Sequence, residues 1–253
     1  MTTPGLFLLL LLLAGRFALI GEQGFPPRPA RVLASALLQA AAVLTAFAGL
    51  GRPLAAAALL VGMEGARLHF ERRAARRGTA LHTRRLGWLV LEAAALAVAA
   101  SPGFGLAFRD LAPALRAAAV WCAPLGALPE LPARRAMLMA LGLLLCLREA
   151  NLGIRAVLEG LSLKPAEPHR PGGVPSAAEY RRGWLIGLLE RSLLYALVLG
   201  GQYGALGFVI SAKALARFKN LEDQAFAEYF LVGTLLSVVI AGAVALAVRA
   251  AGF

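Results

Sequence analysis

The stretch FAEYFLVGTLLSVVIAGAVALAV (226–248) decides the fold class: 23 residues with one ionisable side chain, Glu228, near the start. An α-helix needs about 20 consecutive apolar residues to cross the hydrocarbon core of a bilayer. Similar runs recur at 6–20, 32–50, 54–68, 86–100, 111–128, 184–199 and 203–218. The chain has 253 residues, of which 59% are hydrophobic and 16% charged, with a mean hydropathy of +0.71. Soluble domains average about 45–50% apolar and about 25% charged residues. A water-exposed globule of this composition would present large apolar patches, and disorder requires low hydrophobicity. The expected fold is therefore all-α, a polytopic transmembrane helical bundle of about eight spans plus one interfacial amphipathic helix.

That interfacial helix is placed at 136–161. Its apolar part, 136–147, is too short to span. Beyond it Arg148, Asn151, Arg155 and Glu159 recur at helical spacing opposite Leu147, Ala150, Ile154, Val157, Leu158 and Leu161, the pattern of a helix lying in the membrane surface. Four prolines in 164–176 mark a linker. Three parts result: an N-terminal transmembrane half (1–135), the interfacial helix with its linker (136–182), and a C-terminal block of three transmembrane helices (183–253).

Lys and Arg number 26 against 14 Asp and Glu, a net charge of +12. The basic residues cluster between apolar runs and lack the aromatic-interleaved pattern of a nucleic-acid surface, so no nucleic-acid partner is expected. Seven arginines and one acid, Glu71, fall between 67 and 85. Loops this basic stay in the cytoplasm and meet anionic lipid there. Counted this way, the loops put both termini outside the cytoplasm. Cys122 and Cys146 sit in apolar runs and read as small buried hydrophobes. The three histidines lack metal-ligand spacing, and no phosphate-cradling or nucleotide-binding motif occurs, so neither metal nor cofactor is expected. Arg84-Arg85-Leu86-Gly87-Trp88 with Glu92 is echoed by Arg181-Arg182-Gly183-Trp184 with Glu190, which reads as shared interfacial anchoring.

Ionisable groups within a bilayer cost roughly 3 kcal/mol each on insertion scales, so they mark pairing or function. In the last three spans these are Glu190, Arg191, Lys213, Arg217 and Glu228. At about 1.5 Å of rise per residue, Glu190 lies about 9 Å inside the inner interface if Trp184 marks it. Arg217 falls at a matching height, which predicts a Glu190–Arg217 pair. Lys213 falls near the midplane, with Thr234 and Ser237 at a height to bracket its ammonium. The candidate ligand-binding residues are thus Glu190, Arg191, Lys213, Arg217, Glu228, Thr234 and Ser237, for an anion or lipid headgroup. Transport or headgroup binding is the expected function, and no catalytic residue is assigned. One alternative is an intramembrane enzyme on a phosphorylated lipid, with Glu190 or Glu228 as base and Arg191, Lys213 and Arg217 clamping phosphate. The other is a non-catalytic assembly subunit.

The segments GWLIGLLER (183–191), AKALARF (212–218) and EYFLVGTLLS (228–237) resemble the C-terminal block of an uncharacterised bacterial integral-membrane family. That family carries a domain of unknown function at its N-terminus. The likeness extends weakly upstream to ANLGIR (150–155). It implies a multi-pass protein of the bacterial cytoplasmic (inner) membrane whose C-terminal charged set is a shared pattern. Where the family tends to carry Gly-Asp-Phe, this chain has Gly15-Arg16-Phe17, and the acids of that half are Glu22, Glu64 and Glu92.

Overall fold

A computed structural model describes residues 3–18, 29–76, 81–99, 101, 105–107, 133–163 and 177–252. All regular elements among them are helical. They are α1 (Thr3–Ala18), α2 (Pro29–Ala46), α3 (Gly51–Arg76), α4 (Leu81–Ala99), α5 (133–160), α6 (Ala177–Leu199), α7 (Tyr203–Ala216) and α8 (Gln224–Gly252). A short 3-10 turn, Phe218–Glu222, links the last two. The expected span at 111–128 and the linker at 164–176 lie outside the described residues. Two helices, Arg134–Gly160 with 27 residues and Gln224–Gly252 with 29, are long and apolar enough to cross a membrane. Leu6–Phe17, Ala30–Ala46, Gly87–Val98 and Tyr203–Ala216 are apolar but shorter.

Two expectations are corrected. Most of the basic segment at 67–85 is helix: α3 continues to Arg76 and α4 begins at Leu81. Ala, Arg and Glu are good helix formers, so the end of an apolar run marks a change of surroundings while the helix itself runs on. Arg67, counted there as a lipid-facing arginine, is only 3% exposed and bonded to Glu64. The second correction concerns α5. Ala133–Leu144, a π-helical turn at Leu145–Glu149 and Ala150–Gly160 follow one another without a break, so the short apolar run and the amphipathic helix are one element. Within the π turn the amide of Ala150 donates to the Leu145 carbonyl, five residues back.

The chain divides into two compact units, the first comprising 1–81 and 87–141 and the second mainly 142–251. In the first, α2 packs along α3 and α1 against α2. Phe7 meets Phe47 edge to face at 5.7 Å, and Phe70 stacks on Trp88 at 5.6 Å. The α2–α3 turn is tied to 105–107 by the amide of Ala48 on the Ala107 carbonyl and by Arg52 on that of Gly105.

In the second unit α6 packs on the π turn of α5 and on α7. Gly142 permits a close approach: a Cβ there would stand 2.4 Å from the Tyr195 hydroxyl and 2.8 Å from Val248. α6 stops in a Schellman motif, with Gly201 at φ +70° and the Gln202 amide reaching back to the Leu197 carbonyl at 2.8 Å. α5 stops in the same way, with the Leu163 amide on the Leu158 carbonyl at 2.9 Å, but the left-handed position is held by Ser162 at φ +57°. A side chain in that conformation costs about 1–2 kcal/mol. Ser162→Gly is therefore expected to raise the apparent Tm of the detergent-purified protein, read by thermal unfolding, where most substitutions lower it.

Candidate functional site

Three helices of the second unit line a small, half-open cleft with a volume of about 10 Å³, room for about one water molecule, formed by Glu190, Leu194, Val209, Ile210, Lys213, Thr234, Ser237 and Val238. Residues three or four apart share a helix face. Glu190 with Leu194 on α6, Val209 and Ile210 with Lys213 on α7, and Thr234 with Ser237 and Val238 on α8 each present one such face.

In the cleft, Lys213 Nζ donates to Glu190 Oε2 at 2.6 Å and lies 5.4 Å from the centre of the Phe230 ring. The pair is half-open, with Lys213 24% and Glu190 18% exposed. Thr234 and Ser237 are buried beside it, and their hydroxyls have no hydrogen-bond partner among the described residues. Helical hydroxyls commonly donate to the carbonyl one turn back. Ser192 does so to Leu188 and Thr45 to Ala41; Thr234 and Ser237 do not. The cleft thus offers two spare hydroxyl donors and an ammonium whose protons are only partly committed, a set that suits a ligand rich in acceptor oxygens.

Lys213, Thr234 and Ser237 line one cleft, and Glu190, which the heights paired with Arg217, joins them there; the other three candidates are elsewhere. Arg217 caps α7, which ends at Ala216, and its side chain is exposed. Glu190 consequently pairs with Lys213, one turn earlier, and the expected Glu190–Arg217 pair does not form. Glu228 is exposed and accepts from Gln224 Nε2 at 2.9 Å. Arg191 is 4% exposed and turned toward α5, with Nε on the Cys146 carbonyl at 2.8 Å and Nη2 on that of Leu147 at 3.4 Å. Both carbonyls belong to the π turn, where the regular i→i−4 ladder is shifted, and the guanidinium donates to them. The phosphate clamp of Arg191, Lys213 and Arg217 is not assembled. No three His, Cys, Asp or Glu among the described residues converge to hold a metal ion.

Sequence reasoning missed Phe230, whose ring underlies the ammonium, because an aromatic in an apolar helix carries no distinguishing pattern. It also passed over a buried polar cluster in the first unit, built from Arg16, Ser35, Gln39, Glu64, Arg67 and Glu92. The available signal was an ionisable or amide side chain inside each of four apolar runs, the criterion that singled out the last three helices.

Arg191→Leu would remove the two charge-assisted hydrogen bonds to the Cys146 and Leu147 carbonyls, each of about 1.5–3 kcal/mol. The expected result is a lower apparent Tm in thermal unfolding, with Arg191→Lys intermediate because an ammonium lacks the planar fork that reaches both carbonyls.

No protein-family model, no curated protein and no solved structure matches this chain.

Proposed function

We propose that the protein is a multi-pass inner-membrane protein of about eight spans that binds an anionic group, a lipid headgroup or a small free anion, in the cleft at Lys213. The membrane part of this reading is supported by the apolar surface. Leu231, Leu235 and Val239 are exposed at four-residue spacing along α8, as are Leu185, Leu189 and Leu193 along α6 and Leu33 and Leu37 along α2. Such stripes suit lipid and would be costly in water. The positive balance of +12 suits an anionic leaflet.

The single observation that carries the ligand reading is the pair of spare buried hydroxyls facing a half-open Lys213–Glu190 bond. Buried polar groups are nearly always hydrogen-bonded, so two unpaired donors side by side in one cleft point to a partner supplied from outside the chain. Glu190 is then a resident carboxylate occupying the place on Lys213 that the ligand's anionic oxygen would take. Ligand binding is an exchange of one anion for another on the same ammonium.

The exchange sets opposite expectations for the two charged residues. Lys213→Ala should weaken binding tenfold or more, since a hydrogen bond to a charged group contributes about 1.5–3 kcal/mol. Glu190→Gln should tighten binding, because the competing carboxylate is gone. Thr234→Val should raise the apparent Tm of the ligand-free protein by removing an unpaired buried hydroxyl, and weaken binding. The measurement is ligand-induced thermal stabilisation of detergent-purified protein with inorganic phosphate, set beside native mass spectrometry of phosphatidylglycerol and phosphatidylcholine retention. Phosphate stabilisation without selective phosphatidylglycerol retention identifies a free anion, and the reverse a headgroup. Wild-type behaviour of Lys213→Ala in both assays overturns the proposal.

A further inference from the structure

Exchange of anions on Lys213 leaves a charge unbalanced. Lys213 and Glu190 neutralise each other across a half-open hydrogen bond. Once an incoming oxygen takes the ammonium, the Glu190 carboxylate keeps its charge and loses its partner, and stranding one member of a partly buried pair is costly. No second cation is bonded to Glu190 among the described residues. Arg191, the next residue, is turned to α5 and donates to the Cys146 and Leu147 carbonyls. Arg217 is exposed beyond the end of α7. A compensating positive charge, an ion or a proton, has to arrive with the anion.

The space beside the pair has the size and the chemistry for an ion. At about 10 Å³ it admits about one water molecule. A whole phosphate group does not fit and has to approach Lys213 from the open side. Besides Lys213, the polar side chains lining the void are Glu190, Thr234 and Ser237, all of them oxygen donors to a cation, and the rest of the wall is aliphatic. Thr234 is 7% and Ser237 5% exposed, and both hydroxyls lack a hydrogen-bond partner among the described residues. A hydroxyl carries two lone pairs besides its proton, so each can donate to an anion and still lend its oxygen to a cation. Hard cations take oxygen ligands. One carboxylate balances one positive charge, which favours a monovalent ion, and Mg²⁺ keeps several of its waters and would exceed the void.

We propose that the cleft also holds an alkali cation, sodium or potassium, on Glu190, Thr234 and Ser237, bound together with the anion on Lys213. The anion takes the ammonium and the cation takes the carboxylate. One ion pair within the chain becomes two pairs with the ligands, at no change in net charge. Neither ion is held well by itself, since an anion alone strands Glu190 and a cation alone strands Lys213. Each therefore raises the affinity of the other by the same factor. This coupling rests on the anion reading of Lys213, whereas the cation's place at Glu190 can be tested without it.

The test follows thermal unfolding of the detergent-purified, full-length protein while inorganic phosphate is titrated as its sodium, potassium or N-methylglucamine salt at one ionic strength. N-methylglucamine is too large for the void. The phosphate concentration giving half of the full Tm rise is expected to be at least about fivefold lower with an alkali ion, the low end of ordinary coupling between sites. The better of sodium and potassium identifies the occupant. Glu190→Gln should bind phosphate equally in all three salts, because no carboxylate is left to pair. Lys213→Ala is examined without phosphate: its Glu190 has no resident cation, so sodium or potassium chloride should raise its apparent Tm above the value in N-methylglucamine chloride. Lys213→Ala combined with Glu190→Gln should lose that difference. Equal phosphate binding by the wild type in all three salts, or no alkali effect on Lys213→Ala, overturns the cation site and leaves the anion site standing. Phosphate stabilisation absent in every salt overturns the anion reading and the coupling with it, even where Lys213→Ala still responds to alkali ions.

Discussion

A charge carried into the apolar interior of a helix bundle must find its partner there, because the solvation it gave up is worth more than any single contact it can make. That constraint orders both compact units. In the first, two carboxylates and two guanidiniums close on one another with an amide and a hydroxyl filling the gaps. In the second, a guanidinium without a bonded carboxylate is satisfied by backbone carbonyls at a π turn. Beside it, an ammonium and a carboxylate meet in a cleft. The helices supply the scaffold, but which helix faces which is fixed where these groups pair.

Arg191 and Glu190 show how neighbouring residues divide this work. One step along a helix turns a side chain by about 100°, so consecutive residues face different neighbours. Arg191 anchors α6 to α5 through the π turn, and Glu190 faces α7. Holding Arg191 fixes the rotation of α6 and therefore the direction in which Glu190 points. The π turn contributes from the other side, since its Cys146 and Leu147 carbonyls accept the guanidinium. A local irregularity in α5 thereby sets the geometry of a cleft that α5 does not line.

The all-helical architecture was legible because apolar runs of helical length recur along the chain, and the meeting of Lys213 with Thr234 and Ser237 could be proposed from their heights on α7 and α8. What failed was resolution of about one turn. Counting rise per residue placed Arg217 level with Glu190 by carrying the helix to Phe218. The helix ends at Ala216, and Lys213 takes the pair. Continuity of α5 was hidden because polar residues at helical spacing describe a surface helix and a helix with one packed face equally well. In the first unit the ionisable groups come singly, one or two to a helix and far apart in sequence. Only tertiary packing puts Arg16 against Glu92, 76 positions away, whereas the paired spacing of Lys213 and Arg217 advertises itself locally.

The choice of cation follows the degree of sealing. The buried cations among the described residues, Arg16, Arg67 and Arg191, are all arginine, at 1%, 3% and 4% exposure, while the half-open pair uses Lys213 at 24%. Guanidinium is weakly hydrated, and its planar fork holds several acceptors at once, which suits a sealed site. Ammonium is a compact, strongly hydrated charge on a flexible stem and bonds whichever acceptor comes close. The echoed segments that begin at Arg84 and Arg181 each lead to an acid paired across helices, Glu92 with Arg16 and Glu190 with Lys213. Their shared pattern therefore reaches beyond anchoring to placing an acid inside the bundle. What separates the two is the partner: an arginine in the sealed pair with Glu92, and a lysine in the half-open pair with Glu190.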